Sequence, residues 1–336
     1  MIVLREHVPA VLTTPGINWT QIITAGITFK CLYKAQSGRI IAGTTSGLWY
    51  SDNEGSSWAQ SSQTSSTFTI VGQFKNGALF ACNDSNDCVR SADNGTTWEY
   101  AGTASGEITS IYPTSGTDAL LAIYNAGIKK VINTTATTPS DTGVSEGIWY
   151  DIKRASDYRF FACGPTGIIR SSTGDANSAW TNINRHRGYR SLCITSTGRI
   201  IIGSSNSNSN GIYYSDDNGD TWATSLTSGA FSKIIELSTS GRLIAAGLAN
   251  FGIWYSDDNG TTWQSSTSNT DSWWDLCETA SGKILGIRQT ELWASDNIAV
   301  PEVTAKYALT KYLDKEGAQK LVTQFKAYVD SLVGSD

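Results

Sequence analysis

At 336 residues the chain is long enough to bury one large core or two ordinary ones. Charged residues make up 16% of it, against roughly 25% in an average soluble protein, while 32 Gly, 12 Trp and 14 Tyr suit short strands joined by many turns. A formal net charge of −5 offers no basic footprint for a nucleic acid, and no apolar run reaches the about 18 residues that read as a membrane span, so neither nucleic-acid binding nor membrane insertion is expected.

The chain opens on "MIVLREHVPAVLTT", an N-terminal arm over 1–15 with no basic start, apolar stretch and small-residue cleavage site of a signal peptide. The expectation is synthesis in a cytosol, with any release by another route. "GINWTQII", residues 16–23, then reads as a strand with no unit in front of it.

Seven units follow, with first strands beginning near Thr28, Phe68, Glu107, Ile148, Tyr189, Phe231 and Ser272, at spacings of 40, 39, 41, 41, 42 and 41. Each reads as a strand, a tight turn such as "SGRI", an apolar second strand such as "RIIAG", a loop, a third strand ending in "YSDDNG", and a fourth strand after a Trp. Four short antiparallel strands repeating about every 40 residues predict the blades of a β-propeller. The seventh unit stops before a Trp-bearing fourth strand, and Trp19 stands where Trp58, Trp98, Trp222 and Trp263 stand elsewhere. The N-terminal strand is therefore expected to close the ring and remove an open sheet edge. The predicted fold class is all-β, a seven-bladed propeller over 16–300, followed by a short C-terminal α-helical segment over 301–336.

The motif S-x-D-x-G-x-T-W fits at Ser91–Trp98, Ser215–Trp222 and Ser256–Trp263, through Asp93, Asp217 and Asp258, and in altered form at Ser51–Trp58 through Asn53. It resembles the Asp box, or BNR repeat, of sialidase-like propellers. That resemblance implies a turn between third and fourth strands on the face away from the usual binding site. The carboxylate is expected to accept turn N–H groups, Gly to take the positive-φ position, and Trp to fill the wedge against the next blade. Units three, four and seven lose or distort the motif, as replaceable turn staples can and a ligand site cannot.

Cys88, Cys193 and Cys277 occupy repeated strand positions, Cys88 in the slot that Leu48, Ile212 and Ile253 fill. The six cysteines are accordingly read as small buried hydrophobes, with no metal and no cofactor expected.

A sialidase needs an arginine cluster, a Tyr–Glu nucleophile and an Arg-Ile-Pro signature, and no Arg-Ile-Pro tripeptide occurs here. Arg39 and Arg199 read as blade-edge charges. Glu107, Asp151, Asp275 and Glu278 approach the axis from first strands, which leaves carboxylate-pair glycoside hydrolysis as the alternative reading. A non-enzymatic binding module is the expected function. Its face lies opposite the motif turns, where variable loops carry aromatic planes, amides and guanidinium groups suited to sugar rings. The ligand-binding candidates are Arg185, His186, Arg187, Tyr189, Trp273 and Trp274. One of the paired tryptophans packing between blades, and the Arg-His-Arg run as a plain solvated loop, are the competing readings.

Beyond Pro301, Ala318, Leu321, Phe325, Tyr328 and Leu332 follow at spacings of 3, 4, 3 and 4, the stripe of a helix that packs on its own domain, a copy of itself or a partner. Tyr312, Leu313, Asp314, Gly317, Leu321, Lys326, Tyr328, Val329 and Asp330 resemble a segment recurring in tail, fibre and other virion proteins of gut bacteriophages. The resemblance implies a virion protein (tail, fibre or capsid-decorating), attached or oligomerised through this helix, with virion proteins, itself or a host-surface glycan as partners. A propeller used purely as an assembly scaffold is the further alternative.

Overall fold

The computed structural model describes residues 16–22, 24, 26–114, 116, 118–131, 140–144, 147–173, 180–184, 188–204, 211–266 and 271–295. All of them belong to one compact unit, Pro15–Asn297. The N-terminal arm and the helical stripe of Ala318, Leu321, Phe325, Tyr328 and Leu332 lie outside the described residues.

These residues form seven four-stranded antiparallel sheets, each in simple sequential order except the last. The first blade takes Phe29–Lys34, Ile40–Thr44, Gly47–Ser51 and Ala59–Gln60 from inside to outside. Its second strand is buried at every position, as are Leu79–Asn83, Ala119–Ile123, Phe160–Gly164 and Ile200–Ser204 in later blades. Strands sandwiched between neighbouring blades have no solvent face, which is why they read as continuous apolar runs. The seventh sheet is completed by the N-terminal strand Thr20–Ile22, which pairs with Glu291–Ser295 in the register Thr20↔Ala294, Gln21↔Trp293 and Ile22↔Leu292. Seven blades closed by the N-terminus are what the repeat predicts.

First strands start within a residue of the predicted positions except in blade four, where Asp151–Arg154 begins three residues after Ile148. A Cβ on Gly164 would collide with the Ile148 carbonyl, so the chain there crosses the end of the second strand before it can pair. In the other six blades the first strand carries a β-bulge after its first or second residue, as between Phe29 and Cys31, Phe231 and Lys233 or Trp273 and Asp275.

The tryptophans wedge against the preceding blade rather than the next one. Trp58 packs with Leu285 and Ile287 of blade seven, Trp98 with Ile41 and Leu48 of blade one, and Trp222 with Phe161 and Ile168 of blade four. Trp180 takes this role in blade four, beside Leu120 and Ile128 of blade three. The direction is set by the indole N–H, which donates to the Gly carbonyl three residues back, at 3.1 Å for Trp58 and 3.0 Å for Trp98 and Trp222. Trp19 repeats the arrangement in the closing blade: its indole donates to Gly16 at 3.1 Å, and its ring lies 4.6 Å from that of Trp273 and against Ile244 of blade six.

Cys82 and Cys88 correct the reading of all six cysteines as unlinked hydrophobes. They face each other directly across the hairpin of the second and third strands of blade two, with Cα atoms 4.1 Å apart, and are joined in a disulfide. Alignment of one blade on the next compares single positions and cannot reveal a cross-strand partner. Cys31, Cys163, Cys193 and Cys277 are free and buried.

Because Trp19 fills the last wedge, Trp19→Ala is expected to cost about 3–5 kcal/mol, read as a lower midpoint in chemical denaturation. An unchanged midpoint would contradict closure by the N-terminal strand.

Candidate functional site

Antiparallel order fixes the two faces of the ring. Turns from first to second and from third to fourth strands share one face; the other carries the second-to-third loops and the blade-to-blade connections. The axial channel opens on that second face through the opening residues of the innermost strands. It encloses about 510 Å³ and is lined by Lys30, Thr69, Thr109, Tyr150, Arg190, Ser232 and Trp274, one from each blade, with Glu107 and Tyr124 at the same end.

One residue further along each strand lies a belt of side chains that are small or charged except at Ile70: Cys31, Ile70, Ser110, Asp151, Ser191, Lys233 and Asp275. Innermost strands are sheet edges, and their outward N–H groups have no strand to bond. At four seams a side-chain oxygen of the belt supplies the acceptor from the blade before. Asp275 Oδ2 accepts from Leu32 N at 2.8 Å, Ser110 Oγ from Ile152 N at 3.2 Å, Asp151 Oδ2 from Leu192 N at 3.2 Å, and Ser191 Oγ from Ile234 N at 2.8 Å. Asp151 Oδ1 also accepts from Ser110 Oγ at 3.1 Å, Ile152 N at 2.9 Å and Lys153 Nζ at 2.6 Å. Lys233 Nζ stands 3.8 Å from Asp275 Oδ1. Burial pushes the Asp275 carboxyl above the ordinary range, against the pull of Lys233 and two backbone N–H groups. Burial would lower Lys233, but Asp275 and Asp151 outweigh it and raise its pKa.

Two mouth hydroxyls are committed to the frame as well. Ser232 Oγ donates to the Trp273 carbonyl at 2.7 Å, and Thr109 Oγ1 donates to the Trp149 carbonyl of the next blade. What remains free at the opening is mainly aromatic and cationic, with Thr69 and Glu107 beside it. The Arg190 guanidinium carbon lies 5.1 Å from the Tyr150 ring centroid and 5.8 Å from that of Trp274, within cation–π reach of both. Trp274 is 46% exposed and Tyr124 39%, so the opening presents aromatic surface to solvent.

Of the residues expected to bind a ligand, only Trp274 is seen at this opening. Tyr189 and Trp273 are fully buried, which removes them as ligand contacts. Both open a first strand before its bulge, which turns that position into the seam between blades, so Tyr189 packs with Phe161 and Ile200 and Trp273 with Ile244 and Ile253. Arg185, His186 and Arg187 lie outside the described residues. Of the candidate carboxylates, Asp151 and Asp275 reach the axis, whereas Glu278 instead accepts the Ser238 N–H at 2.9 Å on the opposite face. Tyr150 and Arg190 had no motif to mark them. Stacking the seven first strands on one another would have placed them in a single ring with Trp274.

The S-x-D-x-G-x-T-W turns sit on the far face. In each full copy the Asp accepts the Thr N–H at 2.8 Å and its hydroxyl at 2.6 Å, and the Gly N–H donates to the Ser hydroxyl at 2.8–2.9 Å. Asn53 reproduces the pattern: Oδ1 accepts from Ser57 N at 2.8 Å and Nδ2 donates to Ser57 Oγ at 2.8 Å. Trp58, Trp98, Trp222 and Trp263 pack inward from these turns. Arg39 and Arg199 are more than edge charges. Each pairs with an Asp of its own blade, Asp52 or Asp216, at 2.7 Å and donates to the next blade's turn at Asn94 O (3.1 Å) or Asn259 O (3.0 Å).

Burial pushes the thiols of Cys31, Cys193 and Cys277 to about 12, so none supplies a thiolate. Among the described residues no group of His, Cys, Asp and Glu is arranged to hold a metal ion, and no helix is long and apolar enough to cross a membrane.

No family model and no curated protein matches the chain. Many solved structures match in shape. YCF48 from Cyanidioschyzon merolae is 12% identical with a TM-score of 0.64, over 82% of this chain and 98% of that one. Streptogramin B lyase is 10% identical with a TM-score of 0.66, over 83% and 97%. The extracellular domain of a hybrid two-component system from B. thetaiotaomicron is 16% identical with a TM-score of 0.68, over 84% of this chain but 40% of that one. The likeness is one of fold. The three differ in what their names describe, and none transfers a role to this chain.

The motif aspartates generate a pH prediction. Hydrogen bonds from the Thr221 hydroxyl and N–H hold Asp217 down to about 2, and at Asp93 and Asp258 the same bonds outweigh partial burial and lower the pKa. A depressed folded pKa contributes stability that is present above the unfolded value of about 3.9 and is lost as pH falls through the folded one. Replacing Asp93, Asp217 and Asp258 together by Asn, the residue blade one already uses, should flatten the fall in denaturation midpoint between about pH 4 and pH 2. A slope equal to that of the parent would show that these bonds do not set acid stability.

Proposed function

We propose that the protein is a non-catalytic binding propeller whose ligand, a host-surface glycan, enters at the channel mouth among Tyr124, Tyr150, Arg190 and Trp274. The observation that carries this reading is the exposed Trp274 ring beside a cation at an open mouth, because a sugar offers an apolar face to stack and hydroxyls to bond. Against the alternative of a sialidase-like hydrolase stands the commitment of the axial acids. Asp151 and Asp275 already accept backbone N–H groups of the following blade and face Lys153 and Lys233. A general acid and a nucleophile need their oxygens free for substrate.

The bacteriophage setting is part of the proposal and is supported by the resemblance of residues 312–330 to virion segments. In that setting the propeller is displayed on a tail, fibre or capsid, and the C-terminal segment, whose apolar spacing is helical, joins it to virion proteins or to a second copy. The motif turns, which support the likeness to Asp-box propellers, staple the far face and take no ligand.

Trp274→Ala tests the site. An aromatic stack is worth about 1.5 kcal/mol, so the dissociation constant for purified host polysaccharide, measured by biolayer interferometry, should rise about tenfold with an unchanged melting temperature. Unchanged affinity for that polysaccharide would place the ligand elsewhere.

A further inference from the structure

We infer that the ligand is an acidic glycan and that Arg190 holds its carboxylate or sulfate ester; this rests on the channel mouth being the binding site. Every other described arginine spends its guanidinium on the protein. Arg39, Arg90, Arg159, Arg170, Arg199, Arg242 and Arg288 pair with aspartates or glutamates, and Arg154 donates to the Tyr158 carbonyl. Arg190 alone makes neither hydrogen bond nor ion pair among the described residues, although it is half-buried in the channel wall.

The Arg190 guanidinium lies within cation–π reach of Tyr150, in the preceding blade, and of Trp274, two blades further round the channel. Cation–π contact uses none of the guanidinium N–H donors in a hydrogen bond, so they remain available in the fork that fits two oxygens of one anion. The tyrosine is itself perturbed: burial pushes its phenol up, with Arg190 pulling partly back. It therefore stays a neutral donor beside the anion.

Local charge supports the same chemistry. Lys153 and Lys233 are matched by Asp151 and Asp275. Arg190 and the exposed Lys30, which also has no partner among the described residues, are left at the mouth against Glu107. The whole chain carries −5, so a polyanion is repelled by the protein in general and is attracted where this cationic pair stands. Glu107 and Thr69 remain to bond sugar hydroxyls. A neutral sugar would use Trp274 and leave the Arg190 fork empty.

Three immobilised polymers test this on the full chain at about 150 mM salt: polygalacturonate for carboxylates, dextran sulfate for sulfate esters, and neutral dextran. At least tenfold tighter binding to one of the acidic polymers than to dextran is expected, and the polymer preferred names the anion. Arg190→Ala should abolish that preference, and Arg190→Lys should restore part of it. Lys75→Ala, which removes an equal charge from the opposite face, should change nothing, and melting temperatures should match the parent throughout. Binding to acidic polymer that survives Arg190→Ala but falls with Trp274→Ala would overturn the inference and leave the binding site standing. Equal binding to dextran, or none to either acidic polymer, would also overturn it. Binding insensitive to both substitutions would sink the site itself.

Discussion

Seven innermost strands meet around one axis with their edges bare, and nothing within a four-stranded sheet satisfies the N–H groups on that side. The belt resolves the problem with side chains. Asp275, Ser110, Asp151 and Ser191 each reach forward to a backbone N–H of the following blade. Because each bond crosses from one blade to the next, the belt also sets the distance between blades. The tryptophans work in the opposite sense, reaching back to the preceding blade from the outer strands, so the seams between blades seven and one, three and four, four and five, and five and six are held both at the axis and near the rim.

That division determines what the channel can do. Carboxylates on a propeller axis invite a catalytic reading, yet here their oxygens are spoken for by backbone and by Lys153 and Lys233. The opening ring, one residue nearer the loops, carries no such duty at Lys30, Thr69, Tyr150, Arg190 and Trp274. Under the proposed function, structure and recognition are separated by a single step along the same strand. The opposite face is occupied by staples: the motif turns and the Arg39 and Arg199 clamps, whose polar groups bond one another.

The repeat made the architecture legible because each blade solves the same packing problem at the same spacing, and the truncated seventh unit disclosed the closing strand. Failures came where chemistry is not periodic. The pairing of Cys82 with Cys88 depends on one hairpin and has no counterpart in other blades. Tyr189 and Trp273 looked like loop aromatics, but a bulge turned them into the seam while their neighbours Arg190 and Trp274 faced the channel. A period-two reading of strand faces fails across a bulge. Trp180 ends a copy of the motif that is stretched in sequence, and it nevertheless takes the place Trp98 holds in its own blade.

The belt is tested most directly by hydrogen exchange at single amides. The Leu32 and Leu192 N–H groups lie on a bare sheet edge and should nevertheless exchange slowly, because Asp275 and Asp151 accept them. Asp275→Ala should speed exchange at Leu32 while leaving Leu192 protected, and Asp151→Ala should do the reverse. If both amides already exchange freely in the parent, or stay protected in both variants, the carboxylates are not what joins the blades at the axis, and their availability for chemistry would have to be reconsidered.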